Sequence, residues 1–250
     1  MTAPGVLEVD DVTFTYGKKT VLSHVCLDLA VGVTVLLGRN GAGKTTLIRT
    51  LAGAARPTAG QVRLAGSVVD GRVRRGRSAL RDIGWLPQAF GYPPHMTTRE
   101  FVTYAAWLKE VPADRIGPRT ADALDLVGLT EKAEQHLRAL SGGQLRRAGL
   151  AAAIAADPAV LILDEPTAGL DPEQRDGFHD LIRRLRAEKT VVVATHLLED
   201  VEALAGRIVV LDAGAVLWTG TAEELAGTAA APPGLHGLRQ GFQTVLGQDR

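Results

Sequence analysis

The chain has 250 residues, 46% of them hydrophobic, which is enough to bury a sizeable core and excludes wholesale disorder. Its 28 Lys and Arg residues balance its 28 Asp and Glu residues, so no net field exists to hold nucleic acid or an anionic bilayer over the whole surface. Any contact with nucleic acid or a membrane must therefore be local, and we expect no nucleic-acid partner.

The sequence carries no signal for membrane insertion or secretion. Its apolar runs, such as 148–156, are far shorter than the roughly 18 residues of a spanning helix and are typical of a buried helix. The first five residues lack the basic and apolar regions of a secretory signal. The single cysteine, Cys26, cannot form an internal disulfide, and its apolar neighbours predict a small buried residue instead of a reactive thiol. These features fit a cytoplasmic protein.

The first third of the chain is predicted to form strands. Segments 6–16 and 21–29 alternate apolar and polar residues with a period of two, which predicts an antiparallel pair around a turn at 16–19. Residues 33–37 form a continuous β-rich apolar run, typical of a strand that is buried on both faces. A glycine-rich turn leads from this run into a helix that begins near Gly43, so the pattern is strand, loop and helix.

The later strands predict a parallel α/β core. Residues 160–163 and 190–194 form two more buried runs, and the segment between them, 172–187, has a helical pattern. Residues 97–137 contain no comparable strand, and 97–100 has the pattern of a helix start. The region from 97 to 137 is therefore predicted to be a helical insertion.

The C-terminal part predicts a β-hairpin with strands 207–211 and 215–219, followed by a short helix at 221–226. The Ala, Pro and Gly residues of 227–234 are typical of a linker. The remaining residues, to Arg250, are compatible with either one terminal helix or a frayed tail.

Residues 38–45 match the pattern G-x-x-x-x-G-K-[ST], after a buried strand and at the N-terminus of a helix. Glycines let backbone N–H groups turn inward around phosphates, while the helix dipole and Lys44 favour their negative charge. The hydroxyl of Thr45 can bind Mg²⁺. The pattern predicts a site for a nucleoside triphosphate, formed by Gly38, Asn40, Gly41, Ala42, Gly43, Lys44, Thr45 and Thr46.

A pair of carboxylates follows another buried strand. Asp164 comes at the end of the run 160–163, where it can reach the coordination shell of Mg²⁺. Side chains alternate along a strand, but a turn of the backbone at its end would bring Glu165 to the same site. We interpret Glu165 as the general base that activates the attacking water. The alternative is a solvated acid before Pro166.

Residues 140–144, Leu-Ser-Gly-Gly-Gln, precede a helical run and predict a second anion site. Ser141 can cap this helix, and the two glycines expose N–H groups at its positive end; a simple helix cap is the alternative. One triphosphate rarely needs two helix N-termini from distant segments. We therefore expect the first site of one protomer to pair, head to tail, with the second site of its neighbour. The predicted contact residues are Ser141, Gly142, Gly143 and Gln144.

These motifs resemble those of the nucleotide-binding subunits of ATP-binding-cassette (ABC) transporters, over about residues 5–225. The chain has each of the family's motifs once and in the family's order: Walker A at 38–45, Q-loop at 86–88, signature at 140–144, Walker B at 160–165, D-loop at 166–171 and switch histidine at 194–196. One departure is Arg39, where many relatives have proline; it lies outside the obligatory glycines, lysine and threonine.

The resemblance implies a fold and a domain organisation. The fold is α/β: a P-loop NTPase core with a parallel sheet, an N-terminal antiparallel β subdomain and a helical insertion subdomain at about 89–157. Together these form one ATPase domain over residues 1–226, and residues 227–250 form a linker and a short C-terminal tail or helix.

The resemblance also implies roles for single residues. Tyr16 would stack on adenine, and Gln88 would bind Mg²⁺ or the attacking water. His196 would contact the γ-phosphate and hold the water together with Glu165, while Asp171 would couple the two composite sites of a dimer. The other histidines show no ligand-like spacing.

The implied cofactors are ATP and Mg²⁺, and the implied partners are a second ATPase subunit and separate transmembrane permease chains. The subunit would lie on the inner face of the cell membrane, with its helical insertion resembling the surface that receives a transporter's coupling helix. Its compact size and the insertion start at 96–101 are similar to those of two-component exporters of drugs, antibiotics or lipids. The alternative is a soluble ABC ATPase that acts on ribosomes or nucleic acid.

An arginine run is not part of these motifs. It consists of Arg72, Arg74, Arg75, Arg77 and Arg81. A run of this kind could form a nucleic-acid or lipid-headgroup patch, but no aromatic residues are interleaved for base stacking. We therefore expect a solvated loop face.

Overall fold

The computed structural model describes residues 6–70 and 76–247, with only the backbone at 76 and 77. The strands are β1 (Leu7–Tyr16), β2 (Lys19–Leu29), β3 (Gly32–Leu37), β4 (Ala59–Leu64), β5 (Ser67–Val68), β6 (Ile83–Leu86), β7 (Val160–Asp164), β8 (Thr190–Thr195), β9 (Arg207–Asp212) and β10 (Ala215–Gly220). The α-helices are α1 (Lys44–Leu51), α2 (Gly76–Arg81), α3 (Thr98–Leu108), α4 (Ala113–Leu126), α5 (Gly142–Ile154), α6 (Pro172–Leu185), α7 (Leu198–Leu204), α8 (Ala222–Gly227) and α9 (Leu235–Val245).

The larger sheet has the strand order β10-β9-β3-β8-β7-β6. All neighbouring strands in it are parallel except β10, which returns antiparallel to β9. The smaller sheet is antiparallel, with the order β2-β1-β4-β5. This confirms the predicted α/β fold with an N-terminal antiparallel sheet. Because β3, β7 and β8 run in the same direction, their C-terminal ends meet at one edge of the sheet.

The larger sheet is buried on both faces. Val33, Val35 and Leu37 of β3 enter a core that they share with α3 to α7. Leu36 enters a second core, which it shares with α1 and the antiparallel sheet. Since successive side chains point to opposite faces, a strand between two cores buries the side chains on both of its faces. In the run 33–37 the one polar residue, Thr34, is buried as well, with 4% exposure.

Helices α3 to α5 lie within residues 89–157, the range predicted for the helical insertion subdomain. A capping box begins α3: Thr97 Oγ1 accepts a hydrogen bond from Glu100 N at 3.1 Å, and Glu100 Oε2 accepts one from Thr97 N at 2.8 Å. α3 packs against both α4 and α5. No helix in the described part of the chain combines the length and the apolar character that crossing a bilayer requires.

Cys26 is exposed, so the prediction that it is a buried residue is wrong. It lies on β2 between Val25 and Leu27, whose side chains enter the core beneath the antiparallel sheet. Alternation along the strand sends Cys26 to the opposite, solvent side. Its apolar neighbours therefore mark the other face of the strand.

Residues 235–245 form the helix α9, which is one of the two alternatives, a helix or a frayed tail, that the sequence allows for this region. α9 packs on α7 and α8. The packing is close, since a Cβ atom at Gly241 would lie 1.8 Å from the carbonyl oxygen of Leu225. Glycine at this position lets the two helices touch.

The arginine run falls largely outside the described residues. Arg72, Arg74 and Arg75 lie there, as does the side chain of Arg77. The last member, Arg81, forms an ion pair with Glu110 in which both side chains are more than half exposed. This arginine therefore belongs to a solvated, charge-paired face.

Candidate nucleotide site

The loop between β3 and α1 holds the predicted phosphate-binding residues, and its shape requires glycine. Gly41 and Gly43 have φ values of +86° and +105°, a region that L side chains rarely adopt. A Cβ atom at Gly38 would lie 2.4 Å from the carbonyl oxygen of Leu211. Because Gly43 directly precedes α1, the free N–H groups of the first helical turn lie at this loop. Of the other loop residues, Asn40 is exposed, and Ala42 and Thr46 are buried.

Lys44 is buried at the start of α1, and its ammonium group lies against the loop. Its Nζ donates hydrogen bonds to the carbonyl oxygens of Gly38 at 2.6 Å and Arg39 at 3.2 Å. It also lies 3.9 Å from Oε1 of Glu165. Burial lowers the pKa of Lys44, and the charges of Glu165 and Asp164 oppose that shift. The loop thus holds a desolvated cation beside two carboxylates.

The two carboxylates occupy one site because the backbone turns between them. Asp164 ends β7, and Glu165 has a φ of +47°, in the left-handed region. Both are buried, with 1% and 6% exposure. Asp164 is hydrogen-bonded to Thr45 of α1, while Glu165 reaches Lys44. The turn expected from the sequence at this strand end is therefore present.

The oxygen atoms around Asp164 fit a magnesium ion. Its Oδ1 is buried and has no hydrogen-bond partner among the described residues. Burial raises the pKa of Asp164 above its ordinary value, and the hydrogen bond from Thr45 opposes this shift. An unpartnered carboxylate oxygen beside a hydroxyl is the kind of donor set that Mg²⁺ prefers. A cation there would satisfy the buried oxygen.

His196 follows β8 and pairs with Glu165. Its Nδ1 lies 2.9 Å from Oε2 of Glu165. The histidine side chain is 47% exposed, whereas that of Glu165 is 8% exposed. Glu165 is therefore held between Lys44 on one side and a partly solvent-facing imidazole on the other.

The side chains of the remaining predicted residues make no described hydrogen bond or ion pair with this cluster. Gln88 is exposed after β6. Tyr16 is 48% exposed and packs on Phe14 with ring centroids 4.8 Å apart. Asp171 caps α6, accepting a hydrogen bond from Gln174 N at 2.8 Å.

The signature residues form the N-terminus of α5. Ser141 Oγ accepts a hydrogen bond from Gln144 N at 3.3 Å, and Gln144 Oε1 accepts one from Ser141 N at 3.0 Å. Ser141 and Gly142 are exposed, whereas Gly143 packs so closely on Gln174 that a Cβ atom would lie 2.0 Å from its Oε1. The predicted cap is confirmed, and the helix end faces solvent within one chain.

Sequence reasoning missed a buried polar cluster centred on Asp200 of α7. Asp200 has no exposed surface and accepts hydrogen bonds from Thr167 Oγ1 at 2.6 Å and Thr195 Oγ1 at 2.9 Å. Its Oδ1 lies 2.9 Å from His179 Nε2. Burial alone would raise the pKa of Asp200, but these hydrogen bonds outweigh burial and lower it. His179 is thus a structural histidine.

The Asp200 cluster joins the two segments that carry the site. Thr167 lies two residues after Glu165, and Thr195 directly precedes His196. One carboxylate therefore fixes both loops relative to each other. No signal in the sequence distinguishes Asp200 from the solvated acids that surround it.

The sequence matches the family described as ABC transporter over residues 22–168. The chain belongs to the ABC transporter family. It is an ATP-binding, ATP-hydrolysing subunit of the ABC type. It is 39% identical over 210 residues to the Nod factor export ATP-binding protein I of Paraburkholderia xenovorans, covering 83% of this chain and 68% of that protein.

The relatives of this ABC ATPase include importers as well as exporters. It is 39% identical over 226 residues to the methionine import ATP-binding protein MetN of Caulobacter vibrioides, covering 88% of this chain and 68% of that protein. Its fold matches the dimeric post-hydrolysis state of an ATP-binding cassette bound to ADP and Pi, with a TM-score of 0.78 and 27% identity. That match covers 86% of this chain and 98% of the solved one.

Proposed function

We propose that this ABC ATPase drives a transporter whose membrane-spanning chains are separate polypeptides. Two ATPase subunits would close around two molecules of ATP with Mg²⁺, and hydrolysis would reopen them. A homodimer is the simplest arrangement, and a heterodimer with a second ABC ATPase is the other. The subunit would then lie in the cytoplasm, on the inner face of the cell membrane.

The position of Glu165 carries the proposal for hydrolysis. Its carboxylate lies between Lys44 and His196 at the edge of the phosphate loop, where a water attacking the γ-phosphate would enter. We assign Glu165 as the general base and His196 as the group that holds it in place and contacts the γ-phosphate. Lys44 and the loop amides would stabilise the negative charge of the phosphates.

The remaining roles follow from the same arrangement. Thr45 and Asp164 would hold Mg²⁺, with Gln88 reaching the ion or the attacking water from the end of β6. Bound there, Mg²⁺ would neutralise charge on the β- and γ-phosphate oxygens. Tyr16 would stack on adenine, since its hairpin abuts the loop where Leu22 packs on Gly43. Asp171 would couple the two sites across the dimer.

The exposed N-terminus of α5 supports the proposed dimer. Ser141 and Gly142 are exposed, so the serine hydroxyl and the N–H group of Gly142 face solvent at the helix end, while the N–H group of Ser141 donates to Gln144 Oε1. A partner's γ-phosphate fits this positive helix end. Residues 141–144 of one subunit would therefore complete the site at residues 38–46 of the other.

Ser141→Ala is expected to weaken ATP-induced dimerisation by about 10-fold or more, since one hydrogen bond to a charged group is lost. The affinity of the monomer for ATP should stay unchanged. Sedimentation with Mg²⁺ and ATP measures the first quantity, and binding of a fluorescent ATP analogue measures the second. Thr221→Ala is the matched control, because Thr221 forms the same capping box on α8. A loss of monomer ATP affinity in the Ser141 variant would overturn the in-trans assignment.

An exposed aromatic face on α3 supports a membrane partner. Tyr104 and Trp107 are 42% and 60% exposed, and their rings stack with centroids 5.9 Å apart. Leu108 is 56% exposed and lines a groove of ≈ 260 Å³ together with Phe90 and Phe101. Apolar surface of this kind on the insertion fits a short cytoplasmic helix of a permease chain. The groove begins at the segment that carries Gln88, so docking there is linked to the site.

Trp107→Ser is expected to abolish recovery of a multi-spanning membrane protein when the tagged chain is purified from source-cell membranes in mild detergent. Hydrolysis of ATP by the isolated variant should stay within about twofold of wild type, because Trp107 lies away from the phosphate loop. Leu217→Ser is the control, since Leu217 is 47% exposed on the edge strand β10. Recovery of ribosomal proteins, or of the same membrane protein with the Trp107 variant, would contradict the proposal.

We infer that the direction of transport is export. The insertion start at 96–101, which resembles that of two-component exporters, supports this. Inverted vesicles that carry the purified complex, supplied with ATP outside, should accumulate the transported compound. Loss of preloaded compound from these vesicles would indicate import.

A further inference from the structure

Arg146, on the second turn of α5, makes an unusual set of contacts. Its guanidinium is half-buried and has no carboxylate within ion-pair distance among the described residues. Instead it donates only to backbone carbonyl oxygens: Pro87 O at 2.5 Å, Gln88 O at 2.9 Å, Asp164 O at 2.5 Å, Glu165 O at 3.0 Å and Pro166 O at 3.3 Å. One side chain therefore binds two separate loops.

These carbonyl groups come from the ends of neighbouring strands. β6 and β7 pair in parallel, with Leu86 opposite Leu163, and the chain leaves the sheet after each of them. Pro87 and Gln88 lie beyond β6, and Glu165 and Pro166 lie beyond β7, whose last residue, Asp164, still pairs with Ala194 of β8. Only a planar guanidinium supplies enough N–H donors, in a fixed fork, to satisfy carbonyls on both sides at once. Burial lowers the pKa of Arg146 to about 10, so it stays charged near neutral pH.

The Glu165 turn depends on such support. A left-handed conformation at a residue other than glycine is strained and persists only where its surroundings hold it. The N–H group of Glu165 donates to Ala194 O at 2.8 Å, and Arg146 binds the carbonyl groups on both sides of the turn. These contacts hold the backbone in the conformation that places Asp164 and Glu165 at one site.

We propose that Arg146 is a positioning residue that makes the left-handed turn at Glu165, and the strand end at Gln88, depend on the placement of α5. The inference rests on the proposed function, because α5 begins with the residues that would contact the partner's nucleotide. A shift of α5 on dimer closure would act on both loops through this one guanidinium. The signature of one subunit would thereby adjust the hydrolytic carboxylate of the same subunit.

Arg146→Met and Arg146→Lys test this inference. We expect amide hydrogen exchange in segments 86–89 and 164–168 of the nucleotide-free protein to rise at least about 10-fold in the Met variant, because charged hydrogen bonds are lost. Single-turnover hydrolysis should fall about 10-fold or more, with ATP affinity within about threefold of wild type. The Lys variant should show smaller changes in the same direction, since it keeps the charge and fewer donors.

Arg147→Met is the matched control, because the neighbouring Arg147 has a single hydrogen-bond acceptor among the described residues, Val127 O at 3.3 Å. It should change neither exchange in the two segments nor hydrolysis. Wild-type exchange and hydrolysis in both Arg146 variants would overturn the inference. If the wild-type protein itself failed to hydrolyse ATP, the proposed function would fail, while the exchange measurement would still decide whether Arg146 holds the two loops.

Discussion

Glu165→Gln is expected to slow ATP hydrolysis at least about 100-fold, the scale of a lost general base. ATP binding should persist or tighten, because the substitution removes a negative charge that lies 3.9 Å from the Lys44 ammonium group. Glutamine keeps the shape of the side chain, so the turn at position 165 should survive. The variant should therefore accumulate as a closed dimer with Mg²⁺ and ATP.

Single-turnover hydrolysis and sedimentation measure the two effects separately. Glu188→Gln is the control, since Glu188 is an exposed acid between α6 and β8. It should hydrolyse ATP at the wild-type rate. Near-normal turnover in the Glu165 variant would show that Glu165 is not the general base. A strictly monomeric variant with Mg²⁺ and ATP, even beside its membrane partner, would contradict the dimer.

Lys44→Met should reduce the affinity for ATP about 100-fold. A charge-assisted hydrogen bond contributes about 1.5–3 kcal/mol, and tenfold in affinity corresponds to about 1.4 kcal/mol, so the loss of one or two phosphate contacts gives this scale. The folded state should tolerate the change. Burial lowers the pKa of Lys44, so the free protein holds this ammonium group at a cost in desolvation.

Lys109→Met is the control for Lys44→Met, because it removes a partly buried lysine that has no predicted contact with phosphate. Lys109 donates to the carbonyl oxygens of Leu80 and Ile83, and burial lowers its pKa as well, but it lies at the end of α3. We expect this variant to unfold at lower urea concentration and to bind ATP normally. Calorimetric titration with ATP would decide. Wild-type affinity in the Lys44 variant would mean that the loop does not bind the triphosphate as proposed.

The structure bears out most of the predicted elements, because the signals for them are local. The apolar run at 33–37 and the alternating strands at 6–16 and 21–29 record which faces are buried, and the capping pattern at 97–100 satisfies its own N–H groups. The prediction for Cys26 is wrong because its two apolar neighbours, Val25 and Leu27, lie on the buried face of β2, whereas Cys26 lies on the exposed face. Strands β4 to β6 were not predicted, since they are short or mostly polar.

The amino-acid sequence by itself determined which chemical groups are available for the site, because the groups of each motif lie close together along the chain. Glycine at 41 and 43, lysine at 44 and the paired acids at 164 and 165 are spaced for a triphosphate whatever surrounds them. The tertiary structure alone decided how the segments are held together. Arg146 reaches a carbonyl group 59 residues away, and Asp200 binds a threonine 33 residues away. Such contacts exist only after the sheet and helices pack, so no local pattern predicts them.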